Sequence, residues 1–120
     1  MEIKTKRIYE TPDERDGYRI LVDRIWPRGM SKEAAGVDLW LKEIGPSHGL
    51  RKWYGHDPTR WIEFKRRYFL ELDDLPDEIA LVLEKAAEGP LTLIYSAKDT
   101  ERNQAVAIWE YLENKPAYRD

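Results

Sequence analysis

At 120 residues the chain is long enough for one domain with its own core, since domains usually run roughly 100–200 residues. With 42% hydrophobic residues, 36% charged residues of both signs and a formal net charge of −3, it reads as a folded domain, and it lacks the basic excess of a dedicated nucleic-acid binder. The absence of cysteine removes disulfides, thiolate metal sites, redox pairs and a cysteine nucleophile together.

The first residues, Met1 to Lys6, carry no apolar stretch of the signal-peptide kind, and no apolar run approaches the roughly 18–20 residues of a membrane span. The expectation is a cytoplasmic protein with no membrane contact. In residues 2–9, Ile3, Thr5 and Ile8 alternate with charges, a weak strand signal, and residues 11–17 are a polar, turn-rich connection. Residues 18–22, Tyr-Arg-Ile-Leu-Val, read as a buried strand. The connection is too short for a crossover helix, so these two strands are expected to be antiparallel if adjacent. A loop over 23–29 follows. Ser31 can cap a short helix over 32–35 that Gly36 ends. Val37, Leu39 and Leu41 alternate, which predicts a strand over 37–44 although Trp40 breaks the period.

Gly45-Pro46 interrupts the chain, and Ser47 can cap a helix through Leu50, Trp53 and Tyr54 that stops at Gly55. Asp57-Pro58 restarts a helix carrying Trp61, Phe64, Tyr68 and Leu72 on one face. Leu75-Pro76 opens another, with Ile79, Val82, Leu83 and Ala86 inward and Gly89 at its end. Residues 90–95 form the clearest strand, and Asp99 or Thr100 is expected to cap a last helix with Ala105, Ile108, Trp109 and Leu112 buried. The prediction is a single α/β domain over 1–120: three layers, with a mostly parallel, mixed sheet of about four strands flanked by helices.

Ligands of open α/β sheets bind outside the carboxyl ends of the strands. Three such ends supply Arg24 and Arg28, then Ser47 and Arg51, then Lys98, Asp99 and Asn103. Guanidinium pairs and helix N-termini grip carboxylate or phosphate, so this set predicts a site for a small anionic ligand. The competing reading is architectural, with Arg24 and Arg28 holding loops through Asp23, Asp57 or Asp99. Trp26, rigid before Pro27, could stack on an arginine or plug the core. His56 beside Asp57 is the candidate catalytic acid–base pair, although Asp57 also reads as a helix cap. Ser96, two residues before Lys98, matches no acylating motif. Glu71 reads as a structural partner for Arg24 or Arg28. No P-loop or dinucleotide fingerprint occurs, and two histidines without cysteine give little basis for a metal site. Lys65-Arg66-Arg67 sits among Glu63, Glu71, Asp73 and Asp74, as on a solvated charged face.

The run Leu21-Val22-Asp23-Arg24-Ile25-Trp26-Pro27-Arg28-Gly29, the Trp40-Leu41, Pro46-Ser47, Leu50-Arg51 and Gly55-His56-Asp57-Pro58 segments, and Leu91 to Asp99 together resemble the YeaO-like branch of the DUF488 family. The resemblance covers nearly the whole chain. It implies a small α/β domain of bacteria and archaea and names no activity. It picks out Arg24, Arg28, Ser47, Arg51, His56, Asp57, Lys98, Asp99 and Asn103. Other branches carry a cysteine-containing motif near the C-terminus, so any thiol chemistry there does not transfer to this chain. The leading expectation is therefore a phosphate- or carboxylate-binding pocket, possible hydrolase or transferase chemistry, and no cofactor. The alternatives are a nucleic-acid-binding module using Arg51, Lys52 and residues 65–67, or a partner-binding protein with an exposed aromatic patch.

Overall fold

The computed structural model describes residues 1–114. Strands β1 (Ile3–Arg7), β2 (Tyr18–Leu21), β3 (Leu39–Trp40) and β4 (Leu91–Tyr95) form one sheet in the order β1-β4-β2-β3, and every pair is parallel. Among the described residues five α-helices surround it: α1 (Lys32–Ala35), α2 (His48–Tyr54), α3 (Trp61–Asp73), α4 (Pro76–Glu88) and α5 (Gln104–Asn114).

The sheet is buried on both faces, which is why its central strands β2 and β4 are apolar apart from the buried Arg19 and Thr92. Ile20, Val22, Leu91, Leu93 and Tyr95 point to the larger core, which α2–α5 fill with Leu50, Phe64, Tyr68, Val82 and Ile108. The intervening Leu21 and Ile94 point the other way and pack with Ile8, Ala35, Trp26, Met30 and Val37. That opposite layer is thin: α1 and the loops beside it.

The first two strands are not adjacent, so the antiparallel pairing expected of them as neighbours does not arise. β4, buried at all five positions, lies between β1 and β2 and pairs in parallel with both. The connection from β1 to β2 holds no α-helix, only a 3-10 turn at Glu14–Asp16. It still makes a parallel crossover, because about ten extended residues reach roughly 33 Å, twice the length of a five-residue strand. Gly17 ends this crossover at φ +66°, and any Cβ there would stand 2.1 Å from the Pro90 carbonyl oxygen. That carbonyl accepts the Tyr18 N–H at 2.9 Å, so a backbone approach open only to glycine sets the register of β2 against β4. A buried ion cluster braces the turn. Arg19 Nη1 donates to Asp16 Oδ2 at 2.5 Å, and Lys6 Nζ reaches the same carboxylate at 3.1 Å.

Two further expectations change. The strand predicted over 37–44 contracts to Leu39–Trp40, and Lys42–Ile44 winds into a 3-10 turn that places Leu41 and Ile44 in the core. The last helix is capped by Asn103, whose Oδ1 accepts the Val106 N–H at 3.0 Å, not by Asp99 or Thr100. The Asp99 carboxylate instead closes a turn by accepting the N–H groups of Glu101 and Arg102 at 2.9 and 3.0 Å. Ser31 and Ser47 cap the helices assigned to them, through the N–H groups of Ala34 and Leu50, whereas Asp57 caps, through the Thr59 N–H, a 3-10 turn at Pro58–Arg60 that leads into α3. No helix among the described residues is long and apolar enough to cross a membrane.

Candidate functional site

Because all four strands are parallel, their carboxyl ends share one edge of the sheet, and a cleft of about 1030 Å³ opens there. Each strand end contributes to its lining: Arg7 and Tyr9 after β1, residues 23–28 after β2, Pro46, His48, Arg51 and Lys52 after β3, and Ser96 to Asp99 with Arg102, Asn103 and Gln104 after β4. Tyr54, His56 and Phe64 complete the wall.

The charge of this lining is lopsided. Arg7, Arg24, Arg28, Arg51, Lys52, Lys98 and Arg102 face two carboxylates, Asp23 and Asp99. A chain with a net charge of −3 thus concentrates cations in its cleft and carries its acidic excess elsewhere. The cations differ in how they are held. Arg24 donates Nε to the Pro46 carbonyl at 3.0 Å and Nη2 to the Gly45 carbonyl at 2.7 Å, clamping the loop after β2 to the loop before α2. Arg7 donates Nε to the carbonyls of Ser96 and Ala97 at 3.2 and 2.9 Å, and Arg102 leans on Asp99 at 3.4 Å. The side chains of Arg28, Arg51, Lys52 and Lys98 make no hydrogen bond or ion pair with any described residue, although they line the cleft.

Asp23 ties the floor together. Its carboxylate is buried and accepts the Ser96 N–H at 3.3 Å, the Ser96 hydroxyl and the Gln104 side-chain amide. The Asp23 carbonyl accepts the Trp40 indole N–H at 2.7 Å, so one residue links the ends of β2, β3, β4 and α5. Burial raises its pKa above the ordinary aspartate value, and the donors from Ser96 and Gln104 offset part of that cost.

The predicted site residues separate into groups. Arg24, Arg28, Arg51, His56, Lys98, Asp99 and Asn103 all line the cleft. Asn103 is buried with its amide committed to the Asp99 carbonyl and the Val106 N–H, which fixes the shape of the loop. Ser47 is not in the lining; its N–H and hydroxyl donate to Glu71 at 2.9 and 2.6 Å while its oxygen caps α2. Glu71 therefore pairs with Ser47, where an arginine partner was expected. Asp57 lies outside the lining as well, and its carboxylate accepts from Thr59 and pairs with Arg60 at 3.7 Å. It does not orient His56. His56 itself stands in the left-handed region at φ +57°, directly after Gly55 at φ +54°. Such a backbone is uncommon for a residue with a Cβ, and this one carries its ring into the cleft wall.

Among the described residues no arginine stacks on Trp26. Its indole N–H donates to the Met30 carbonyl at 2.7 Å and its ring meets Trp40 edge-on at 5.4 Å, which makes a rigid wall. In residues 65–67, Lys65 pairs with Glu110, while Arg66 and Arg67 share Glu63, so all three cations of this basic triplet are paired on their own surface, with one carboxylate serving two of them. No group of three or more His, Cys, Asp or Glu able to hold a metal ion occurs among the described residues.

A family model described as the inactive DUF488-N3 subclade matches residues 2–120. The chain belongs to the DUF488 family. It is 41% identical to the uncharacterized protein YeaO of Escherichia coli K12 over 114 residues, covering 95% of this chain and 99% of that one. It is 35% identical over 113 residues to the uncharacterized protein Rv3073c of Mycobacterium tuberculosis H37Rv, covering 94% and 95%. An uncharacterized Mycobacterium bovis protein, Mb3100c, matches to the same extent. No solved structure matches. In this DUF488 domain the cleft residues that sequence reasoning missed are Arg7, Tyr9, Arg102, Gln104 and, as an organiser of the floor, Asp23.

Proposed function

We propose that this DUF488 domain binds a small phosphate- or carboxylate-bearing ligand at the carboxyl edge of its sheet, and that it binds without turning the ligand over. The observation that carries the reading is the cleft lining, in which seven cations face two carboxylates and the side chains of Arg28, Arg51 and Lys98 hold no hydrogen bond or ion pair with any described residue. Cations gathered round a concave wall focus their field and attract anions more strongly than the same charges scattered over open surface; Arg51 is half-buried there, and Arg28 and Lys98 stand exposed at its rim.

Three observations favour binding over catalysis. Asp57 is occupied by Thr59 and Arg60, so His56 has no carboxylate to set its tautomer. The Ser96 hydroxyl donates to Asp23, which also accepts from the Ser96 N–H and the Gln104 amide, and neither histidine hydrogen-bonds to Ser96 as a base. The matching family model is described as an inactive subclade.

The test is titration calorimetry with pyrophosphate against the wild type and a R28A/K98A double variant. Arg24 is left in place because its two bonds to backbone carbonyls make it part of the scaffold. Binding that is lost in the variant while its thermal transition stays unchanged supports the reading. Equal affinity in both proteins refutes it. The nucleic-acid alternative has less support, because the triplet at 65–67 is paired with Glu63 and Glu110. It calls for oligonucleotide binding whose affinity falls steeply with salt and is lost on replacing Arg66 and Arg67.

A further inference from the structure

We infer that the ligand of this cleft is a nucleotide: phosphate held by Arg28, Arg51 and Lys98, and a base stacked on the rings at the rim, Tyr9 and His56. The inference rests on the anion-binding reading and deepens it.

Size is the first reason. A cavity of about 1030 Å³ far exceeds what an inorganic anion or a small carboxylate fills. It stands at the upper end of the roughly 300–1,000 Å³ typical of organic-ligand sites. The rest of the ligand must therefore meet the remaining wall, and the chemistry of that wall narrows its nature.

A sugar acid or polyol would need uncommitted neutral donors and acceptors. The neutral polar side chains here are already bonded within the protein. Ser96 and Gln104 donate to Asp23, and Asn103 joins the Asp99 carbonyl to the Val106 N–H. What the wall offers is rings and guanidinium groups. Tyr9 is 44% exposed and carries the Arg7 guanidinium over its ring at 4.7 Å. The Tyr9 hydroxyl donates to the Arg28 carbonyl at 2.9 Å, so this ring is fastened beside a phosphate-holding residue. His56 is exposed, packs toward Tyr54 with ring centroids 6.2 Å apart, and is held at φ +57° where glycine would be at ease. Flat bases stack on Tyr and His rings and on Arg planes, whereas an aliphatic chain would call for Leu, Ile or Val, and Ile25 alone of these lines the cleft.

The experiment compares pyrophosphate, ADP, UDP and a single-stranded hexanucleotide by titration calorimetry, using the wild type and the Tyr9→Ala and His56→Gly variants. The nucleoside diphosphates are expected to bind at least tenfold more tightly than pyrophosphate. Each variant is expected to cut that advantage to threefold or less. His56→Gly is expected to melt no lower than wild type, since glycine relieves the left-handed backbone, so its loss of affinity is not a folding defect. If the hexanucleotide binds more tightly still and both variants weaken it, the inference stands with a strand as the source of the nucleotide. If pyrophosphate binds as tightly as ADP and UDP, or if both variants keep the full advantage, the inference is overturned and the anion site survives. If neither pyrophosphate nor a nucleotide binds, both readings fail.

Discussion

Replacing Asp23 in two ways separates its architectural role from its charge. Asp23→Ala removes the acceptor for the Ser96 N–H, the Ser96 hydroxyl and the Gln104 amide, and leaves the backbone donor facing a void. At about 1 kcal/mol per bond, with further cost for stranded donors, the loss should come to about 2–4 kcal/mol. For a chain of this length that lowers the melting temperature by roughly 10 °C or more. Asp23→Asn is a different case. Its oxygen can still accept from Ser96 N–H and Gln104, while its NH2 can donate to the Ser96 hydroxyl, which serves equally as donor and acceptor. Since burial opposes the charged form of Asp23, the neutral amide should hold stability within about 1 kcal/mol of wild type.

The same substitution removes one of two negative charges from the lining. At a separation of about 8 Å and a largely aqueous dielectric, that repulsion amounts to about 0.5–1 kcal/mol, so pyrophosphate should bind two- to fivefold more tightly to the Asn variant. Thermal melts and calorimetric titration of the three proteins measure both effects. The sign with pH is also fixed. The raised pKa of Asp23 means that the folded protein takes up a proton before the unfolded chain does, so wild type gains stability relative to Asp23→Asn as pH falls toward about 4. An Ala variant as stable as wild type, or an Asn variant that binds pyrophosphate more weakly, would refute this account of the floor.

Asp16 moves in the opposite direction. Burial raises its pKa, but the Asp13 N–H, Lys6 and Arg19 outweigh burial, so the folded value lies below the unfolded one. Its stabilisation is therefore full above about pH 4 and is lost as pH falls further; Asp16→Asn should flatten that acid limb in pH-dependent denaturant melts. Ser47→Ala removes the cap on the Leu50 N–H and the hydroxyl held by Glu71, and should cost about 1–2 kcal/mol by urea titration, with pyrophosphate affinity changed less than twofold because Ser47 is outside the cleft lining.

Local chemistry is legible from sequence here, and tertiary adjacency is not. Ser31, Ser47 and Asp57 are caps because short oxygen side chains reach the N–H groups of a first turn, a preference set within four residues. β4, apolar but for Thr92, reads as a central strand for the same local reason. That β4 enters between β1 and β2 depends on a contact across more than seventy residues, and no local pattern carries it. The cost of that gap falls on the site. With β1 read as an antiparallel neighbour, its carboxyl end is assigned to the far edge of the sheet, and Arg7 and Tyr9 drop out of the cleft they help to line. Asp23 is passed over for a related reason. A carboxylate beside an arginine in sequence looks like its ion-pair partner, whereas its actual partners, Ser96 and Gln104, arrive from the neighbouring strand and the helix beyond it.

The most direct test of the anion site is a chemical-shift map, recorded on the amide spectrum of the 15N-labelled protein during titration with pyrophosphate. The account predicts saturable shifts concentrated at residues 24–28, at the start of α2 and at 96–104, which surround the cleft. Shifts confined to the α3 surface around residues 65–67, or no saturable shift at millimolar pyrophosphate, would contradict it.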